Sequence, residues 1–283
     1  MTRYCRPTSR AEALEALAYE DGHGWPLVGG TDLIVGMRHH KIEPSLVVDL
    51  KGITDLAPPI TVTDEGVAIG PTFTMGALSR HPVVCDWYPA LVEAAVLVGS
   101  VAIRNRASLI GNVCNASPGA DTIPALLLYD VRATIESLDG ERTVKLTDFL
   151  LGPRRTQCGK DELVTRLAIP KPMSGSASAF LRITRRRGVD LATVSVAAGV
   201  DRRDEVRLGL GAVAPRALQV RFRAPLTPAD EPALIEMLDR HLAVAQPISD
   251  VRGSKEYRLG MLRVLARRAV MIAAQRRNEG VLA

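Results

Sequence analysis

Apolar residues recur at helical spacing through Ala11, Leu14, Leu17 and Ala18, behind a candidate hydroxyl cap at Thr8 or Ser9. The pattern predicts a helix ended by Asp21-Gly22-His23-Gly24. An apolar run over 25–28 predicts a short strand, 33–37 the start of a short helix, and 44–50 a buried strand. Next come a strand over 66–70, a helix capped by Thr74, and an alanine-rich helix over 89–98 closed by Gly99. Thr122-Ile123-Pro124 opens a helix over 125–128, and strands over 132–137 and 142–145 turn at Asp139-Gly140. Both periodicities break at Pro170-Lys171-Pro172-Met173-Ser174-Gly175-Ser176, a linker composition. Three strands follow over 178–183, 192–201 and 205–212, with Arg202-Arg203-Asp204 turning the last pair, then helices over 229–245 and 257–278. The order predicts an α+β fold: residues 1–172, rich in β-α-β units, and a small domain over 177–283 whose helices stack on a three-stranded antiparallel sheet.

Two stretches do not fit a core pattern. In Leu27-Val28-Gly29-Gly30-Thr31-Asp32-Leu33, paired glycines leave no Cβ in the way of a ligand and permit positive φ. Successive backbone N–H groups in such a turn can converge on an anion without a lysine, and the helix after it aims further N–H groups the same way. Thr31 adds a hydroxyl, and Asp32 can bond local backbone N–H groups. The same residues also make an ordinary turn between strands. The second stretch, residues 108–121, is polar and turn-rich within an apolar frame. Read as a loop, it sets Ser108, Gly111, Asn112, Ser117 and Asp121 at close backbone approach, the composition of a polar ligand cradle. Asn115-Ala116-Ser117 matches a glycosylation acceptor, an accidental match beside Pro118.

Composition narrows the function. The chain of 283 residues is 47% hydrophobic and 24% charged, ordinary for a globular protein. No apolar run reaches the roughly 18–20 residues of a membrane span, and no secretory leader is visible, so the expected location is the cytoplasm. Net charge is +5 and the pI about 9.2. The densest basic run, Arg182 with Arg185-Arg186-Arg187, has no interleaved aromatics, which argues against nucleic acid. Cys5, Cys85, Cys114 and Cys158 are too dispersed for a local zinc or iron–sulfur site, and adjacent His39-His40 point apart, so no metal site is expected.

The chain resembles the flavin-binding medium subunits of molybdenum hydroxylases, the group of xanthine dehydrogenase and aerobic carbon monoxide dehydrogenase. The resemblance runs nearly end to end. It is carried by Arg6-Pro7-Thr8-Ser9, Gly29-Gly30-Thr31-Asp32-Leu33, Ile103-Arg104-Asn105-Arg106, and Gly111-Asn112 with Ala116-Ser117-Pro118 and Asp121. It continues in Thr184-Arg185-Arg186 with Asp190-Leu191-Ala192, in Gly211-Ala212-Val213-Ala214-Pro215, and in Arg252-Gly253-Ser254 with Tyr257-Arg258.

The resemblance implies a PCMH-type FAD-binding domain of two subdomains, about 1–55 and 56–172, followed by the small C-terminal domain. It implies that Leu27 to Leu33 wrap the FAD pyrophosphate, that Ser108, Leu109, Ile110, Gly111 and Asn112 form the other half of the cradle, and that Ser117 lies with them. Asp121 would hold the ribityl or adenosine side. Backbone at Leu163 and Val164 would lie against the isoalloxazine ring, and Arg182 stands where xanthine dehydrogenases carry a lysine near that ring. Catalysis on substrate would fall to a molybdopterin large subunit. Electrons would come from [2Fe–2S] centres of an iron–sulfur small subunit and leave FAD for NAD, a quinone or O2, in a heterotrimer doubled into a dimer of heterotrimers. Two departures stand out. Ile110 replaces a usual glycine, and a β-branched residue suits positive φ poorly. The four-cysteine insert of the related aryl-CoA reductases is absent. A stand-alone flavin oxidoreductase, with His39, His40, His81 or Tyr88 as candidate groups, and a flavin-free scaffold remain alternatives.

Overall fold

The computed structural model describes residues 1–20, 22–226 and 231–281. The chain starts with a small parallel sheet of β1 (Arg3–Cys5), β3 (Leu46–Asp49) and β2 (Gly24–Leu27), with β3 central. All four residues of β3 are buried, apolar Leu46-Val47-Val48 and then Asp49, whose carboxylate accepts the Tyr4 hydroxyl at 2.7 Å. Helix α1 (Arg10–Tyr19) starts where the Ser9 hydroxyl accepts the Glu12 N–H at 3.2 Å. It buries Ala13, Leu14 and Leu17 against Leu46, Val48 and Leu50. The expected end of this helix includes Asp21, which lies outside the described residues. Helix α2 (Leu33–Arg38) follows the glycine turn.

A second sheet, entirely antiparallel, has the order β4 (Ile60–Thr63), β5 (Gly66–Ile69), β10 (Leu163–Pro170), β6 (Arg132–Ser137) and β7 (Gly140–Lys145). Between β5 and β6 run six short helices: α3 (Met75–Leu78), α4 (Pro82–Trp87), α5 (Pro89–Ala95), α6 (Val101–Arg104), α7 (Leu109–Asn115) and α8 (Thr122–Leu126). Thr74 caps α3 through the Ala77 N–H at 3.1 Å. After β7, α9 (Leu146–Phe149) leads into a minor hairpin of β8 (Leu150–Gly152) and β9 (Arg155–Thr156). Helices and sheet share one large core around Ile69, Leu91, Leu109, Leu126, Ile135, Phe149 and Leu167.

The C-terminal sheet corrects the expectation of three strands. It has four, β11 (Ala177–Ile183), β12 (Val194–Val200), β13 (Glu205–Gly211) and β14 (Leu218–Arg223), each antiparallel to the next. In β14, Leu218, Val220 and Phe222 alternate with Gln219, Arg221 and Arg223; Gln219 donates to the Leu127 carbonyl and Arg221 pairs with Asp130. Helices α10 (Glu231–Leu242) and α11 (Lys255–Val281) cover one face of this sheet. The expected helix over 229–245 begins in residues outside the described ones. The opposite face lies on α5 and α8, and Phe180 and Ala197 enter the large core there. Tyr129 and Ser178 hydroxyls meet at 2.9 Å across this boundary, and the Phe180 N–H donates to Glu93 at 2.7 Å. Among the described residues no helix is long and apolar enough to cross a membrane.

Candidate functional site

Strand β2 delivers the chain into the turn at Val28-Gly29-Gly30-Thr31-Asp32. Gly30 has φ +72°, which a glycine adopts without steric cost. Gly29 is required by packing: a Cβ there would stand 2.1 Å from the Arg106 carbonyl oxygen, backbone against backbone. The first stretch is thus pressed onto the chain just ahead of the second. Among the described residues, the N–H groups of Gly29, Gly30, Thr31 and Asp32 have no acceptor. Four consecutive free donors on a half-buried turn form the concave donor array that anions seek. Leu27 is half-buried and Leu33 buried, so apolar residues hold both ends of the turn. Asp32 does not cap the helix that follows it; its carboxylate accepts the Asn115 amide at 3.1 Å. This bond ties the turn to the second stretch.

Residues 109–115, expected as loop, form helix α7. Ser108 caps it, its buried hydroxyl accepting the Gly111 N–H at 3.1 Å. Leu109, Ile110 and Val113 bury one side of the helix. Its lead-in is clamped by two backbone bonds, Met75 N–H to Ala107 at 2.8 Å and Leu109 N–H to Phe73 at 3.1 Å. Ile110 sits in the helix without positive φ and projects into the large core, so the expected strain at this position is not there. Asn112 accepts the Thr122 hydroxyl at 2.7 Å, joining α7 to α8. Ala116, at φ +44°, ends the helix, and half-buried Ser117 follows, its carbonyl accepting the Ala120 N–H at 3.0 Å.

Asp121 begins α8 and is buried, and Arg182 of β11 forms an ion pair with its Oδ2. The pair joins α8 to the C-terminal sheet. The other carboxylate oxygen, Oδ1, is buried with no hydrogen-bond partner among the described residues. Burial pushes this carboxyl up to about 7, even with the guanidinium beside it. Leu163 and Val164 open β10, opposite Glu136 and Ile135, and are buried. The Leu163 side chain joins the N-terminal core and that of Val164 the large core, so neither side chain presents itself to the turn.

Residues 27–33 and 108–112 are therefore gathered, and Asp121 and Arg182 are joined. Sequence reasoning missed Arg106 and Ala107, which brace Gly29, and Asn115, the tether to Asp32. Asn115 lay in plain view as a polar residue at the end of the second stretch. Of the candidate acid–base groups, Tyr88 is fully buried and donates to the Ile169 carbonyl at 2.9 Å, while His39 and His40 are exposed. Burial pushes the Cys114 and Cys158 thiols up, which leaves them unreactive. A separate cleft of about 410 Å³ follows the linker, lined by Trp87, Lys171, Ser178 and Arg207, and touches none of the residues in either stretch.

Residues 1–172 match the FAD binding domain in molybdopterin dehydrogenase, and residues 179–273 match the CO dehydrogenase flavoprotein C-terminal domain. The carbon monoxide dehydrogenase medium chain of Afipia carboxidovorans is 32% identical over 283 residues, covering 96% of each chain. The xanthine dehydrogenase FAD-binding subunit of Escherichia coli O157:H7 is 29% identical over 278 residues, covering 94% of each. Among solved structures, carbon monoxide dehydrogenase from Hydrogenophaga pseudoflava superposes with a TM-score of 0.89 at 26% identity, covering 98% of both chains. With the family domain matched over more than half its length and relatives aligned nearly end to end, the chain belongs to the FAD-binding subunits of the molybdopterin dehydrogenases, oxidoreductases of the molybdenum hydroxylase family.

Proposed function

We propose that this chain is the FAD-carrying electron-transfer subunit of a multisubunit molybdenum hydroxylase. The observation that carries the reading is the run of four unpartnered N–H groups from Gly29 to Asp32, held against the lead-in to α7. A diphosphate offers the matching acceptors, and the unpartnered Asp121 Oδ1 is an acceptor awaiting a hydroxyl. FAD has both groups. In this reading Leu27 to Leu33 wrap the pyrophosphate and Ser108 to Asn112 close the opposite side. Ser117 and Asp121 take the polyol or ribose hydroxyls, and Arg182 completes the site from the C-terminal domain. Backbone at Leu163 and Val164 borders the ring. Bound FAD supplies redox chemistry; the protein binds it, orients it and excludes water.

Substrate oxidation is assigned to a molybdopterin large subunit, and electron delivery to [2Fe–2S] centres of a small subunit. The relatives' names, medium chain and FAD-binding subunit, support a role as one part of a larger enzyme. The acceptor is NAD, a quinone or O2, and the assembly a cytoplasmic dimer of heterotrimers with domains 1–172 and 177–283 in this chain. The flavin-free alternative rested on Ile110, which the fold accommodates inside the core. The stand-alone enzyme loses Tyr88 as a candidate group.

The test is the visible absorption spectrum of the full chain, co-purified with its genomic neighbours and then alone with added FAD. Flavin bands near one equivalent, bleached by dithionite, support the reading. No flavin under either condition rejects it. Flavin together with small-molecule turnover by the isolated chain would favour the stand-alone enzyme instead.

A further inference from the structure

Asp121 and Arg182 are 61 residues apart in sequence and belong to different domains. Their side chains are 7% and 10% exposed, so the pair is nine-tenths buried on both sides. A buried carboxylate normally has both oxygens bonded, because each unsatisfied lone pair forfeits hydration. Here the guanidinium takes Oδ2 and Oδ1 is left over. On the adjacent strand Ser195, opposite Arg182 in register, is also fully buried with an unpartnered hydroxyl. The polar surroundings of this corner are therefore half-used.

We infer that Arg182 is a positioning residue for the flavin: from the C-terminal domain it orients Asp121 and favours its carboxylate form, so that Oδ1 serves as a fixed acceptor for a flavin hydroxyl. The inference rests on the FAD reading above and adds a role that acts through Asp121. It also gives the C-terminal sheet a reason to press on α8, since one half of the acceptor is held from each domain.

Chemistry favours this division of labour. A protonated carboxyl would turn toward donating, whereas the ionised form accepts only. Burial disfavours the ionised form and Arg182 opposes it, and with both acting the carboxyl stands at about 7. Among the described residues, Arg182 is the one charge that acts on this carboxyl. Thr122 of α8 bonds Asn112 of α7, Ser195 of β12 stands opposite Arg182, and Glu93 of α5 is paired with Arg276. On the loop after β11, Arg185 and Asp190 pair with one another. The sign follows: a ligand that needs the carboxylate binds better as pH rises through 7, with a proton released on binding. Without Arg182 the proton is held more tightly, and the transition moves to higher pH.

The experiment is FAD titration of the full chain by flavin fluorescence between pH 5.5 and 9, with melting temperature recorded for each protein. Wild type should bind more tightly as pH passes 7. Arg182→Met should lose at least tenfold in affinity at pH 7 and shift the transition upward by a pH unit or more. Arg182→Lys should restore most of both. Asp121→Asn should bind weakly with a flat profile, and it reads the acceptor even where Arg182→Met does not fold. Binding by wild type with a profile unchanged in Arg182→Met or Asp121→Asn overturns the inference while leaving the FAD reading intact. No binding by wild type at any pH overturns both.

Discussion

The turn at residues 28–33 is pressed onto the chain just ahead of the segment at 108–121 and tied to it through Asn115, yet the two are made in opposite ways. The turn has two glycines, four free N–H donors and a carboxylate that looks outward to Asn115. Those four donors are unused among the described residues, and the turn's shape depends more on what is missing from Gly29 than on what its side chains bond. The second segment spends its polar groups internally. Ser108 caps its own helix, Asn112 receives Thr122, and Leu109, Ile110 and Val113 anchor it in the core. One stretch is shaped for a ligand by being held open; the other is the firm wall it is held against. Rigidity on one side allows free donors on the other, because unpaired backbone groups persist only where surrounding structure fixes them.

The largest effect should come from taking the wall apart. Ile110→Gly removes a buried side chain and adds glycine to a helix, a loss of about 3–5 kcal/mol in urea-unfolding stability. FAD affinity of the folded fraction should stay within about twofold. Were stability preserved and FAD affinity raised, residue 110 would face the ligand and the wall would not be a wall.

That contrast also explains what was legible in the sequence. The turn announces itself by two glycines between apolar runs, since backbone freedom and close approach are written in residue type. The wall does not. Its helix has three apolar residues among Gly111, Asn112 and Asn115, and propensity alone favours a loop; the Ser108 cap and the clamp by Phe73 and Met75 decide otherwise. Likewise β14 reads as alternation only once its polar positions are seen to bond the chain at Leu127 and Asp130. Most strand–helix order was visible because it rests on local periodicity. The pairing of Asp121 with Arg182 was not, because no local pattern joins a helix start to a strand 61 residues away.

The next effect is on the turn itself. Gly29→Ala places a methyl group against the Arg106 carbonyl, and neither backbone can yield without shifting the turn. FAD affinity should fall by about a hundredfold, near the upper end of an overpacking cost of about 1–3 kcal/mol. Gly111→Ala is the matched control in the wall. Its Cβ would meet only the Ser108 hydroxyl at 3.0 Å, and alanine suits a helix better by about 1 kcal/mol. Its melting temperature should hold or rise slightly, while isothermal titration shows whether the wall's backbone also approaches the flavin. Equal damage from both alanines would erase the difference between turn and wall.

The smallest effect separates the two stretches without harming either. Asp32 and Asn115 lie near solvent, and the single bond between them at 3.1 Å is the side-chain tether from turn to wall. A bond of this kind contributes about 1 kcal/mol, so Asn115→Ala should weaken FAD binding about fivefold through a less fixed turn. Asp32→Ala should cost the same, and the double variant no more than either alone, because both remove one interaction. Additive losses would mean instead that Asp32 acts on the flavin directly. In that outcome the turn would supply a side chain as well as its backbone, and the free N–H donors would no longer be its whole contribution to binding.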